Sequence, residues 1–462
     1  MNTPHDLTRR RFIGRACAAV GATGMLSALA QLRMIGALAA DAAPSDYKAL
    51  VCLFLYGGND SNNLLVPVDN TNYNIYAADR TVLALPQASL LPISPKTYSD
   101  GRSWGLHPSF VEIQQLFGQG QLALLANTGT LVQPVTLAQY NAGTVALPPQ
   151  LFSHANQQVQ WQSSVPDQPF TTGWGGRLAD IVNALNGNPK ISMSVSVAGE
   201  NSFQVGNTVS QFAVNPTGAV VLSGTSGSTL ATARYGAQQN ILNFQEQNLF
   251  EAAFGGMTTS AIVDSQLLNT VLASSPALTT TFPSTNIASQ MKMIARMIGA
   301  APQLGLTRQV FFASLGGFDL HSDQLTPHAT LFMQLSQALN AFSAATAELG
   351  VQNQVTTFTA SDFSRTFNTN GTNDGTAGSD HGWGSHHLIM GGAVNGGDIY
   401  GSVPLLELGG PEDTGRGRWI PTTSVDEYSA TLANWFGVSA SNLPIVLPNI
   451  GRFATSNLGF MA

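Results

Sequence analysis

Eight consecutive apolar residues, Ala49 to Tyr56, run without a polar interruption into Gly57-Gly58-Asn59-Asp60. A strand of this composition is buried on both faces, the situation of a central strand in a parallel sheet with helices above and below. The same grammar recurs along the chain. Leu122–Ala126, Gln309–Ala313 and Val355–Thr359 read as further buried strands, and they alternate with helical stretches at Pro108–Phe117, Ile287–Ile298 and Leu325–Leu349. Alternation of this kind predicts an α/β fold: a three-layer α/β/α sandwich around a mostly parallel sheet. Pro189–Ser228 breaks the rhythm, since short β-type segments stand there among Gly, Ser, Asn and Thr, and a β-rich insertion is expected at about 189–228.

Ahead of the first strand, Thr8-Arg9-Arg10-Arg11-Phe12-Ile13 precedes a weakly apolar Ala/Gly-rich stretch and Ala37-Leu38-Ala39-Ala40. This is the anatomy of a twin-arginine signal peptide over 1–40, which predicts export in the folded state through the twin-arginine translocase to the periplasm or the exterior. Gly21 and Gly24 interrupt the apolar stretch, which is too short and weak for a stable membrane span. Removal of 1–40 takes away five of the 19 Lys and Arg and one of the 26 acids, leaving a formal charge of −11 on residues 41–462, read as a single domain. An acidic surface makes nucleic acid and anionic membranes poor partners. Cys17 leaves with the leader and Cys52 remains alone, so no intramolecular disulfide can form and stability must come from a core.

In a doubly wound sheet, ligands bind beyond the carboxyl ends of the strands. Asp60 follows the first strand, where a carboxylate suits a hard cation or zinc, although Gly, Asn and Asp are also ordinary turn residues. Asp319 and His321, two apart in Gly316-Gly317-Phe318-Asp319-Leu320-His321, can face one divalent ion. Asp362 and Arg365 follow the strand at 355–359, as ligand and anion clamp or as an internal ion pair. Asp380 and His381, with His386 and His387, form a dense glycine-flanked cluster; five of the seven histidines beyond the leader lie between 321 and 387. Ser153, where a helix is expected to begin, is a nucleophile candidate beside unpaired backbone N–H groups, or simply an N-cap.

Taken in order, the twin-arginine leader, Gly-Gly-Asn59-Asp60, Leu151-Phe152-Ser153-His154, Gly316–His321, Ser361–Thr366 and Ser379–Gly401 resemble the bacterial family catalogued as domain of unknown function 1501, from about residue 48 to the end. That family is similar in fold to the alkaline phosphatase and sulfatase superfamily. The resemblance implies a metal-dependent hydrolase of phosphate or sulfate esters. Asp60 and Asp362 would hold one ion, Asp319, His321 and His381 another, with zinc, calcium or manganese as the metal. Ser153 would be the nucleophile and Arg365 would neutralise the transferred group of an anionic ester. The pattern departs from the superfamily at Phe363, where histidine is usual, so the resemblance implies a second site that is either incomplete or completed by Asp380, His386 or His387. No Pro-Ser-Arg follows Ser153, which disfavours a formylglycine sulfatase. A non-catalytic binding or surface protein on a degenerate hydrolase fold is the alternative, and a nucleotide or flavin oxidoreductase lacks its Gly-x-Gly-x-x-Gly turn.

Overall fold

A computed structural model describes residues 47–220, 227–242, 244 and 248–462; the expected leader at 1–40 lies outside the described residues. Residues 46–462 form one compact unit. Strand β1 (Lys48–Leu55) is followed by three short strands, β2 (Leu65–Pro67), β3 (Leu91–Ile93) and β4 (Trp104–Leu106), which pair antiparallel in a small separate sheet of order β2-β4-β3. The main sheet continues with β5 (Leu122–Gly129), β6 (Ser194–Ser196), β7 (Phe212–Asn215), β8 (Gly218–Ala219), β9 (Arg308–Leu315), β10 (Val355–Ser361), β11 (Ser385–Met390), β12 (Ile399–Tyr400) and β13 (Thr423–Ser424). Its order is β12-β5-β11-β10-β1-β9-β6-β7-β8, with β13 also paired to β5.

The apolar run of β1 is explained by this position. It lies between parallel β9 and β10, with Leu53 opposite Ala313 and Thr359, and every residue from Ala49 to Leu55 is buried. Most of the sheet is parallel; β11 runs antiparallel between β10 and β5, and β8 antiparallel to β7.

Nine helices of eight or more residues are described: α1 (Asn70–Arg80), α2 (Val111–Gly118), α3 (His154–Ser163), α4 (Trp174–Val182), α5 (Thr229–Leu242), α6 (Leu249–Ser274), α7 (Asn286–Leu304), α8 (Leu325–Glu348) and α9 (Val425–Phe436). Helices α2, α7 and α8 pack as one group, and α3, α4 and α9 cover the strands as another. The second group closes over Cys52, Phe54, Phe358 and Ala360 with Trp161, Trp174 and Tyr428. Local sequence sets the ends of these helices. Ser424 and Glu427 form a reciprocal capping box at the start of α9, and Thr285 caps α7, which stops at Gly305 in the left-handed conformation. Among the described residues no helix is long and apolar enough to cross a membrane.

The expected three-layer arrangement is present, and the segment about 189–228 carries strands, as expected of a β-rich insertion: β6, β7 and β8 extend the edge of the main sheet beyond β9; residues 221–226 lie outside the described residues. The hairpin of α5 and α6 that follows was not anticipated, because its apolar residues are not gathered on one buried face.

Because β1, β9 and β10 are parallel, the loops after them emerge at one edge of the sheet. Antiparallel β11 starts at that edge, so the segment before it, Asp380–Gly384, is delivered to the same place.

Candidate metal centre

Four donor groups meet at this edge. His154 comes from the first turn of α3, Asp319 and His321 from the loop after β9, and His381 from the segment ahead of β11. The donor atoms of His154, Asp319 and His381 all lie within 4.8 Å of one another. Nε2 of His381 is 3.1 Å from Nε2 of His154 and 3.1 Å from Nε2 of His321. Oδ1 of Asp319 is 2.9 Å from His321, 3.4 Å from His154 and 3.5 Å from His381.

The other nitrogen of each ring is occupied. His381 Nδ1 is 2.6 Å from the carbonyl of Phe152, His154 Nδ1 is 2.6 Å from Asp362 Oδ2, and His321 Nδ1 is 3.0 Å from Asp380 Oδ1. A carbonyl or an ionised carboxylate only accepts, so each neutral ring carries its proton on Nδ1 and presents a lone pair at Nε2. In the group of His154, Asp319 and His381 two lone pairs and a carboxylate oxygen therefore face one another, and His321 Nε2 adds a third lone pair beside His381 and Asp319, an arrangement that repels unless a cation lies among them. The spacing also suits one. Bonds of ~2.0 Å to a tetrahedral ion place neighbouring ligand atoms about 3.3 Å apart, and imidazole with carboxylate is a zinc-type donor set. The residues present thus fit a divalent ion.

Electrostatics agree with that assignment. Burial lowers the His381 imidazole, keeping it neutral. The Asp362 hydrogen bond raises His154 against the opposing effect of burial. Burial acts to raise the Asp319 carboxyl, but Arg365, His154 and His321 together hold it below its usual range. Phe363 stacks on His381 with ring centroids 4.8 Å apart and lies 4.7 Å from His154, packing against both rings.

Two glycines let the loops come this close. A Cβ on Gly57, which has φ +112°, would run into the Asp319 backbone nitrogen, and one on Gly378 would run into the His321 carbonyl.

The remaining expected site residues are placed as follows. Asp362 is buried and accepts from Gln158 (2.7 Å) and the Gly57 backbone (3.2 Å) as well as facing His154, so it orients a ligand. Asp380 serves His321 in the same way and pairs with Arg416 at 2.6 Å. Asp60, expected beside Asp362 on a second ion, is instead sealed in an ion pair with Arg80 at the end of α1; Oδ2 also accepts from Gln324 and Oδ1 from Asn62 (3.1 Å). With Arg80, Gln324 and Asn62 as partners, this carboxylate is committed within the fold rather than turned to the donor cluster. Arg365, expected as an anion clamp, is buried too: Nη1 donates to Asp319 (2.7 Å) and Gly57 O (3.3 Å), and Nη2 to Ser379 O. His328, His386 and His387 are core residues, each pushed down to about 3 by burial. Ser153 stands at the N-cap position of α3 but makes no capping bond; its Oγ accepts from Asn156 Nδ2 at 2.9 Å.

His154, a candidate donor in the folded chain, carries little signal in the sequence. It is isolated from the other histidines in sequence, and its one signal was adjacency to Ser153.

The family described as "Protein of unknown function (DUF1501)" matches residues 47–414. The chain belongs to this family. No curated protein matches the chain with significance. Among solved structures, the chain is similar to the PsFucS1 sulfatase from Pseudoalteromonas sp. (TM-score 0.36, 10% identity, covering 87% of this chain and 69% of that one). It is also similar to Ps i-CgsB in complex with k-i-k-neocarrahexaose (TM-score 0.34, 8% identity, 87% and 74% covered). A third is the phosphonate monoester hydrolase SpPMH from Silicibacter pomeroyi (TM-score 0.30, 7% identity, 73% and 72% covered).

Proposed function

We propose that this chain is an exported, metal-dependent hydrolase of phosphate or sulfate esters. The observation that carries the reading is the convergence of three Nδ1-anchored imidazoles on the Asp319 carboxylate at ligand-to-ligand spacing. His154, Asp319, His321 and His381 would hold the ion, with zinc favoured by the donor set and manganese or calcium as alternatives. A divalent ion there supplies Lewis-acid polarisation of an ester oxygen.

The protein's own groups supply the rest. Asp362, Asp380 and the Phe152 carbonyl keep the imidazoles in the tautomer that binds a cation. Ser153 is the proposed nucleophile. Its hydroxyl is not spent on capping α3, so the O–H remains available to attack phosphorus or sulfur, with expulsion of the alcohol. Export rests on the twin-arginine pattern at 8–13, which supports folding, with loading of the site, before passage through the translocase.

The alternative, a binding protein on a degenerate hydrolase fold, is favoured by one feature. Arg80 pairs with Asp60, which leaves a single cluster of donors among the described residues.

Purified protein assayed on aryl phosphate, phosphonate and sulfate esters tests the choice. Turnover that falls at least 100-fold on chelation and in Ser153→Ala supports the hydrolase. Metal-replete protein inert to all three classes moves the assignment to binding.

A further inference from the structure

Three arginines stand around the cluster, and two have both Nη groups engaged. Arg365 is tied to Asp319, Gly57 and Ser379. Arg416 donates from Nη1 to Asp380 (2.6 Å), from Nη2 to Thr369 O (2.9 Å) and from Nε to Asn368 (3.4 Å). Arg418 differs. Its Nε donates to the carbonyl of His381 at 2.8 Å and its guanidinium carbon lies 4.7 Å from the centre of the Phe152 ring, yet neither Nη has a hydrogen-bond partner among the described residues. Residue 418 is half-buried, so this fork is held at the site without being sealed away.

The backbone that carries it is fixed. Oδ1 of Asp413 accepts from Gly415 N and Gly417 N, both at 2.7 Å. The Arg418 carbonyl accepts from Thr414 N (3.1 Å) and its hydroxyl (3.0 Å). Next in sequence, Trp419 donates from its indole to Asn62 at 2.8 Å and its carbonyl accepts from Gly384 at 2.9 Å. An arginine whose stem, Nε and flanking loop are all restrained loses little freedom when its free edge binds.

Charge completes the argument. Asp319, Asp362 and Asp380 surround the cluster, and the positive charges of Arg365 and Arg416 are already matched by Asp319 and Asp380. An anionic group approaching Ser153 needs a cation that is not yet paired. Arg418 lies against Phe152, the residue immediately before Ser153, whose carbonyl also anchors His381.

We propose that Arg418 is the oxyanion-recognising residue of this site, its two free Nη groups receiving two oxygens of a tetrahedral phosphate or sulfate group. This assigns to Arg418 the role that sequence pattern gave to Arg365, and it rests on the reading of the site as one for anionic esters. Arg418 lies four residues beyond residue 414, where the family match ends.

Inorganic phosphate titrated calorimetrically into the protein as purified tests the proposal, with metal content and unfolding midpoint measured on the same samples. Arg418→Gln retains a donor for the His381 carbonyl, and Arg418→Lys retains the charge without the fork. The expected result is phosphate binding by the native chain, about 10- to 100-fold weaker in Arg418→Gln and partly recovered in Arg418→Lys, with metal content and midpoint unchanged. Equal phosphate affinity in native and Arg418→Gln protein that both retain metal overturns the role of Arg418 and leaves the ester-hydrolase reading standing. Native protein that holds metal but binds no phosphate overturns the anion subsite itself, and native protein without metal removes the hydrolase reading on which it rests.

Discussion

Asp362 and Asp380, each of the right type at the right strand end, hold the rings of the candidate metal centre instead of facing its donor cluster. Each accepts from the Nδ1 of a histidine whose Nε2 faces the cluster. Partners of this kind tune affinity, whereas a ligand creates the site. Asp362→Asn and Asp380→Asn are therefore expected to weaken zinc binding by about 10- to 100-fold, measured by competition with a chromophoric chelator. Asp60→Asn, in the Arg80 ion pair, should leave that affinity unchanged. Asp319, His321 and His381 were legible in the sequence because glycine-flanked Asp and His pairs follow buried strands. Asp60 was misread for a physical reason. Nothing in Gly57-Gly58-Asn59-Asp60 reveals that Arg80, twenty positions later, folds onto it. His386 and His387 were counted toward a site although Ser385–Met390 also reads as a strand; adjacent residues on a strand point to opposite faces, and both are buried in the core.

At the level of elements, strands were easier to read than helices. The eight-residue apolar run of β1 has the composition of a central strand, and β1, β5, β9 and β10 lie within three residues of expectation. The α5 and α6 hairpin is hard to read because many of its large apolar residues stay exposed, with Leu268, Val271 and Leu272 buried only near its end: Phe250 is 87% exposed and Phe254 70%, whereas Phe332 of α8 is fully buried against Phe110 with ring centroids 4.2 Å apart. Phe332→Ala is expected to cost about 3–5 kcal/mol in urea unfolding, and Phe254→Ala no more than about 0.5 kcal/mol. Helix α9 carries a different signature. Burial pushes the Asp426 carboxyl from 3.8 up to about 8, outweighing Ser164 and Arg177 beside it. The folded state then keeps a proton that the unfolded chain releases, so this group's contribution to stability is full below about pH 4 and is lost as pH rises toward 8. Asp426→Asn should flatten the fall in urea midpoint across that window; a slope equal to that of the native protein would show that Asp426 ionises freely in the fold.

For the whole molecule, the parallel sheet explains why residues far apart in sequence share one place. Loops after β1, β9 and β10, the segment before β11 and the start of α3 are all delivered to the same edge, so donors from positions 154 to 381 meet. That long-range placement is what local sequence pattern does not encode, and it is why His154 was found only in three dimensions. Elemental analysis of the folded protein beside His154→Ala, Asp319→Ala and His381→Ala variants tests the account most directly. It predicts about one divalent ion per native chain, zinc before manganese or calcium, and its loss in all three variants despite native-like circular dichroism. A native protein that carries no metal and takes none up from zinc-containing buffer would contradict it.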